Sequence, residues 1–308
     1  MSKKVWTRCA TGLGLMISLA FTAFIGGTAV TAQNVQTGNW TATLVDDNAK
    51  LNLNFERGGE QGHKNQIGQT YDFSELSGLS REQVLSGGAV KFSLAREAGT
   101  IDCEGSFQNG KGSGTFTFTG SAAFVSAMKS RGFDFEKDLL SQNGRHRQDR
   151  LFTATALNVT TALADDLSSA GFGKLEVEDL CKAAIFKINS QFMREMKATG
   201  FPNLTMEDLV KARIFKIDAD LVREASQLGL DKTSMESLVK MRIFKVTPAF
   251  IAEVRDEGLT NLSLEDLIKL RIFNIDSEFI RQAKAEGVPL EVERLVQKRV
   301  GSGRRHPI

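Results

Sequence analysis

The sequence predicts an α+β fold, in which a small antiparallel β domain precedes a solenoid-like array of α-helical hairpins. Between residues 39 and 120, apolar and polar residues alternate in short runs, which is the period of a half-buried strand. Beyond residue 158, the tripeptide Ile185-Phe186-Lys187 returns at 214 and 243, and as Ile-Phe-Asn at 272. A fixed period of 29 residues is typical of stacked repeats that bury their apolar faces on their neighbours.

Length and charge limit the number of domains and the classes of partner that we expect. A chain of 308 residues exceeds the usual size of one hydrophobic core, so we expect two folded domains. With 39 basic and 37 acidic side chains, no overall field favours nucleic acid or an anionic membrane. The predicted division is an export segment at 1–32, the β domain at 38–120, a divergent helical connector at 121–158, helical repeats at 159–300 and a disordered tail at 301–308.

The amino terminus has the pattern of a signal peptide. Lys3, Lys4 and Arg8 precede an uncharged apolar run from Ala10 to Val30, and small residues follow it. We therefore expect an exported protein that is periplasmic or secreted. Because the run is long enough to span a bilayer, the alternative is an uncleaved anchor at residues 10–30, which would be the chain's only contact with the membrane.

The β domain is predicted to hold about five strands, most simply as an antiparallel meander. Ser80 and Gln83 form a capping-box pattern that opens one short helix. The Gly- and Gln-rich stretch from Gly58 to Thr70 is predicted to be a mobile loop. The strand patterns cover 40–45, 49–55, 90–94, 101–107 and 116–118.

Each repeat is predicted to form two short helices. The first ends at a periodic glycine, such as Gly200 or Gly258. Because helices this short are marginal alone in water, stacking has to stabilise them. The predicted N-caps of the first helices are Asn189, Asp218, Thr247 and Asp276. Those of the second helices are Thr205, Ser234 and Ser263.

Basic residues recur in columns along the repeats and form a candidate partner-binding stripe. The favoured interpretation is a solvated face, because a glutamate lies four residues before each lysine, as Glu207 does before Lys211, in the order that suits intrahelical ion pairs. The stripe consists of Lys182, Lys211, Arg213, Lys240, Arg242, Lys269 and Arg271.

Catalytic and metal-binding patterns are scarce. None of the three histidines belongs to a His-Glu-x-x-His motif, and no metal or cofactor is predicted. His63, with Asp72 and Glu75 downstream, is the basis of a hydrolase hypothesis, although an exposed loop histidine is the favoured interpretation. Cys103 and Cys181 fall in different predicted domains, so two isolated thiols are favoured over a disulfide.

The repeat pattern, Phe-Ile-x-x-(Met/Val/Ala)-(Lys/Arg)-x-x-Gly followed by Leu-(Thr/Ser)-x-Glu-Asp-Leu-(Val/Ile)-Lys-x-Arg-Ile, resembles extracytoplasmic repeat regions attached to bacterial membrane metallopeptidases of the beta-lactam-sensor type. The segment 96–105, Arg-Glu-Ala-Gly-Thr-Ile-Asp-Cys-Glu-Gly, also resembles part of such regions. The resemblance concerns the accessory portion alone, since the sequence lacks the peptidase motif. It therefore implies no catalytic residue.

These observations favour an exported, non-enzymatic interaction protein. We expect it to bind a protein, a peptide or a cell-envelope partner through the β domain and the concave face of the array. The alternatives are a membrane-anchored sensory or regulatory ectodomain, and a hydrolase with a site in the 58–86 loop. Nucleic acid is not expected as a partner, and the sequence leaves the oligomeric state open.

Overall fold

The computed structural model describes residues 36–47, 49–58, 64–136, 145–201, 204–227 and 234–302. Residues 1–32, His63, Gly229 and the tail beyond residue 302 lie outside this part of the chain, so what the sequence predicts of them stays a prediction. The described residues belong to one compact unit, Asn34–Ile308. None of their helices combines the length and the apolar composition needed to cross a bilayer.

The described residues form a six-stranded antiparallel sheet. The strands are β1 (Gln36–Val45), β2 (Lys50–Gly58), β3 (Lys64–Asp72), β4 (Gly88–Arg96), β5 (Gly99–Gln108) and β6 (Lys111–Gly120). Their spatial order is β3-β2-β1-β6-β5-β4. The prediction of about five strands in a simple meander is therefore wrong. Two three-stranded meanders join where β1 pairs with β6, a distant pairing that local turn signals do not reveal.

Strand β3 occupies most of the stretch 58–70 that the sequence predicted to be a mobile loop. It pairs with β2 in a register that places Ile67 opposite Phe55 and Tyr71 opposite Leu51. Only these two apolar residues of β3 mark its inner face, so the alternating pattern is too sparse to read in the sequence. β3 is an edge strand, where polar side chains are typical because they discourage pairing with another strand.

A 3-10 turn, Phe73–Glu75, and helix α1 (Arg81–Ser86) connect β3 to β4. The predicted capping box is confirmed. The Gln83 amide N–H donates to Ser80 Oγ at 3.3 Å, and the Ser80 N–H donates to Gln83 Oε1 at 2.8 Å. Val84 is fully buried, which fixes α1 against the sheet.

Two helices follow the sheet: α2 (Ala122–Lys129) and α3 (Arg145–Ala156). Helix α3 covers the inner face of the sheet with the ring of Phe152, which lies 5.2 Å from the Phe116 ring and 5.3 Å from the Phe118 ring, centroid to centroid. Tyr71 Oη donates a hydrogen bond to the Ala156 carbonyl at 2.9 Å. Part of the predicted connector 121–158 therefore closes the core of the β region.

Beyond residue 160, the described residues form a helical array. Its helices are α4 (Thr161–Ser169), α5 (Val177–Phe186), α6 (Ser190–Lys197), α7 (Met206–Ile214), α8 (Ala219–Gln227), α9 (Met235–Ile243), α10 (Pro248–Asp256), α11 (Leu264–Ile272), α12 (Ser277–Ala285) and α13 (Val292–Ser302). Helices α5, α7, α9, α11 and α13 pack one on the next in that order, while α4 packs on α6 and α10 on α12. One continuous core runs from Trp40 in the sheet to Leu295 in α13.

The predicted helix caps are confirmed, because capping depends on residues within one turn of each other. The first-helix caps accept a hydrogen bond from the backbone N–H three residues on, at Asn189, Asp218, Thr247 and Asp276. The second-helix caps do the same at Thr205, Ser234 and Ser263. Pro248 stands in the first turn of α10, where its missing N–H costs nothing.

Candidate functional site

The four lysines of the predicted stripe form ion pairs with glutamates of the next second helix along the array. Lys240 Nζ lies 2.7 Å from Glu265 Oε1, and Lys269 Nζ lies 2.6 Å from Glu293 Oε1. We name this set the charge ladder. Its pairs are Lys182 with Glu207, Lys211 with Glu236, Lys240 with Glu265 and Lys269 with Glu293.

The sequence favoured a solvated face and supported it with intrahelical pairs four residues apart, whereas the structure forms the ion pairs between helices. Glu207 lies one turn before Lys211 in α7, but it pairs with Lys182 of α5. Glu178 likewise pairs with Arg150 of α3 at 2.9 Å. A lysine side chain on one helix easily reaches a helix that packs beside it, so the stacking of the array decides the partner.

The arginines of the stripe bond in the opposite direction along the array. Each donates to a backbone carbonyl oxygen 26 residues earlier, with Arg213 on Lys187 at 2.9 Å, Arg242 on Lys216 at 2.8 Å and Arg271 on Lys245 at 2.7 Å. The guanidinium of Arg271 also lies 4.2 Å from the centre of the Phe250 ring, and that of Arg213 lies 3.8 Å from the Phe192 ring. All seven residues of the predicted stripe therefore hold neighbouring units together.

Hydrogen bonds of the charge ladder shift the pKa of Lys182, Lys211, Glu236 and Lys269. The hydrogen bond to Glu207 raises the pKa of Lys182, and that to Glu293 raises the pKa of Lys269. The same kind of bond raises the pKa of Lys211 and lowers the pKa of its partner Glu236. Each lysine charge of the charge ladder is thus offset by a carboxylate within hydrogen-bond distance, which weakens the attraction of these four lysines for a polyanion.

A different column of the repeats is exposed and apolar. Ile185, Ile214, Ile243 and Ile272 are between 47% and 53% exposed, and Val300 at the end of the array is 44% exposed. We name these five residues the isoleucine ladder. Leu85 is the sole other large apolar side chain with such exposure in the described part of the chain, so the exposure belongs to one position of the repeat.

The exposure of the isoleucine ladder follows from helical geometry. Ile214 lies seven residues after Glu207 and three after Lys211, so all three side chains share the outer face of α7. Leu209 and Ala212 of the same helix face the core. Because α5, α7, α9, α11 and α13 pack in succession, the ladder residues of neighbouring helices line up along the array. The Ile-Phe-Lys tripeptide marks the period in the sequence, and the placement of its isoleucine on the polar face was not predicted.

The residues of the hydrolase hypothesis have structural partners where the structure describes them. Glu75 accepts a hydrogen bond from the Asp72 N–H at 2.9 Å and forms an ion pair with Arg96. Asp72 lies 3.8 Å from Lys50 Nζ. His63 lies outside the described residues.

The two cysteines are separate thiols, as the sequence favoured. Cys103 is buried in β5 and Cys181 is half-buried in α5. Burial raises the pKa of the Cys103 thiol, and it raises the pKa of Cys181 to about 11. A thiol with a raised pKa is protonated at neutral pH, which makes it a poor nucleophile.

The fold and this surface define an α+β protein whose antiparallel sheet is followed by a stacked helical array with an exposed apolar ladder. Comparison of the chain with protein-family models, with curated proteins and with solved structures finds no match.

Proposed function

We propose that the chain is an exported, non-enzymatic binding protein whose helical array docks a protein or peptide partner along the isoleucine ladder. The observation that supports this proposal is the repetition of the exposure itself. Single exposed apolar residues are ordinary on protein surfaces, whereas here five recur at one position of successive units.

A partner that covers the isoleucine ladder gains binding free energy, and the fold does not change. Its side chains are about half exposed, so covering each of them contributes about 1 kcal/mol. The five together supply about 5 kcal/mol toward the cost of association, with hydrogen bonds and ion pairs still to be added. A partner gains this energy in proportion to the number of ladder residues that it covers.

Other features support a protein or peptide partner over nucleic acid. The charge ladder offsets the lysines that would otherwise attract phosphates. The apolar run at residues 10–30 and the resemblance to extracytoplasmic repeat regions support export, with a retained anchor as the alternative state of the same protein.

The experiment is site-specific photocrosslinking in the cells that produce the protein. A photoreactive amino acid replaces Ile214 or Ile243 of the isoleucine ladder. In the matched controls it replaces Glu224 or Glu253, which are exposed on α8 and α10. We expect a discrete adduct of defined mass from the two ladder positions and none from the controls. Replacing Ile185 and Ile272 with serine is expected to reduce the adduct severalfold. Equal adducts from both pairs of positions, or none from the ladder, would refute the proposal.

A further inference from the structure

A row of lysines borders the isoleucine ladder. Lys187, Lys216 and Lys245 each lie two residues after a ladder isoleucine, and all three are exposed. Unlike the lysines of the charge ladder, they have no acidic partner within 4.0 Å among the residues that the structure describes. We name these three residues the lysine row. It places uncompensated positive charge next to exposed apolar surface.

The backbone of the lysine row is in a conformation that lysine adopts reluctantly. Their φ angles are 52°, 53° and 54°, in the left-handed region that favours glycine and asparagine. The equivalent positions at the two ends of the series carry asparagine, with φ of 57° at Asn158 and 49° at Asn274. Asparagine therefore meets the needs of this backbone position, so the left-handed conformation alone does not require lysine in the inner units.

Arginines of the next unit hold the lysine row in place. The carbonyl oxygens of Lys187, Lys216 and Lys245 accept the hydrogen bonds from Arg213, Arg242 and Arg271. The strained residues are thus fixed by surrounding structure, a situation that is typical of functional positions. Their side chains extend from a rigid backbone at regular intervals beside the apolar line.

We propose that the isoleucine ladder and the lysine row together bind an acidic peptide segment that presents apolar side chains at intervals of about 10 Å, the spacing of packed helices. This inference rests on the proposed function and specifies its partner. Three residues of a polyproline II helix rise about 9 Å and complete one turn, so the segment has an apolar residue at every third position on one face and carboxylates between. The apolar residues cover the isoleucines, while the carboxylates pair with the lysines.

Charge on the same face disfavours a membrane as the occupant. The charge-ladder glutamates share the outer helix face with the isoleucines, and the side chains of Glu207, Glu236 and Glu265 are 61% to 64% exposed. Pressing this face into anionic headgroups would bring those carboxylates against lipid phosphates. A narrow peptide can lie along the isoleucines and the lysine row without covering the glutamates.

The experiment is a display selection of random twelve-residue peptides on the full chain, counter-selected against the variant Ile214→Ser with Ile243→Ser. We expect the enriched peptides to have an excess of Asp and Glu and an apolar residue at every third position. Their affinity, measured by fluorescence anisotropy, is expected to fall about tenfold for the triple variant Lys187→Asn, Lys216→Asn and Lys245→Asn. The affinity for the unmodified chain is also expected to fall with rising salt concentration.

The chain itself has asparagine at the equivalent positions 158 and 274. The triple variant is therefore expected to keep its fold, and a melting curve checks this. The inference is overturned if the enriched peptides lack acidic residues, if nothing is enriched over the counter-selected variant, or if the triple variant binds equally well. It is also overturned if phosphatidylglycerol vesicles bind the chain in a way that depends on Ile214 and Ile243. A photocrosslinked adduct at Ile214 with a partner that is not acidic would leave the proposed function standing and refute this inference alone.

Discussion

Lys211 of α7 forms its ion pair with Glu236 of α9, 25 residues further along the chain, and not with Glu207 one turn earlier in its own helix. Glu207 is itself occupied by Lys182 of α5. Each pair of the charge ladder therefore connects two helices that pack side by side. The lysines that suggested a binding stripe in the sequence thus pair with glutamates of neighbouring units.

The Lys211–Glu236 pair is expected to stabilise the protein within a defined pH range. The pKa of Glu236 is lowered from 4.5, so its contribution is present above that value and is lost as the pH falls through the folded-state pKa. The pKa of Lys211 is raised from 10.5, so its contribution is present below that value and is lost as the pH rises through the folded-state pKa. We expect Glu236→Gln to lower the urea midpoint most near neutral pH, and the difference to shrink toward about pH 3.

The control for this prediction is Glu224→Gln, which removes an exposed carboxylate of α8 that has no ion pair among the described residues. It is expected to change the urea midpoint little at any pH. Because both partners of the Lys211–Glu236 pair are solvent-accessible, about 1 M salt is also expected to reduce the effect of Glu236→Gln. An effect of that variant that persisted in high salt would contradict the ion-pair explanation.

Arg271→Ala is expected to weaken the stacking between units. Arg271 donates to the Lys245 carbonyl from Nε at 2.9 Å and from Nη2 at 2.7 Å, and it also covers the Phe250 ring. Losing both contacts is expected to reduce the free energy of unfolding by about 1 to 2 kcal/mol, measured by urea denaturation. Arg271→Lys keeps the charge but not the planar two-donor group, so it is expected to recover less than half of the loss. Full recovery by lysine would show that charge alone matters.

Phe152→Ala is expected to be the most destabilising of these changes. The side chain is fully buried where α3 closes the sheet, so its removal is expected to cost about 3 to 5 kcal/mol. Trp40 lies in the same core at 1% exposure, so its fluorescence reports the unfolding transition. Leu85→Ala is the control, because a side chain that is 47% exposed contributes little, within about 0.5 kcal/mol. Similar losses for the two variants would argue against α3 as the cover of the β region.

The lysine row allows a reciprocal test of backbone strain. Lys216→Asn is expected to raise the free energy of unfolding by about 0.5 to 1 kcal/mol, because asparagine adopts the left-handed conformation at lower cost. Asn274→Lys places lysine in the same conformation and is expected to lower the free energy of unfolding by a similar amount. Thermal melts of the two single variants measure both. Shifts of the same sign would show that strain does not set these stabilities.

Local signals predicted the helices and their caps. For example, Ser263 and Asp266 form a capping box, a motif that depends only on two residues three positions apart. Non-local features were not predictable in this way. The pairing of β1 with β6 joins residues that are far apart in sequence, and β3 shows too few apolar residues to be seen.

The candidate site was only partly predictable for the same reason. The Glu207–Lys211 spacing allows an intrahelical pair, and only the position of the next helix decides that Lys211 reaches Glu236 instead. The position of the isoleucines on a polar helix face was predictable from the sequence, since Ile214 follows Glu207 by seven residues and so shares its face. The exposure of its side chain and its alignment with Ile185 and Ile243 required the fold.

The central position of β1 has a consequence for the order of folding. β1 lies between β2 and β6, so the middle of the sheet cannot form until the chain has been made as far as Gly120. The inner face of the sheet is covered only when α3 packs against it with Phe152. The helices from α4 onward can instead dock one after another as each is synthesised, because every unit meets a neighbour that is already in place. We therefore expect the sheet to form more slowly than the helical array, because its central pairing is the more distant in sequence.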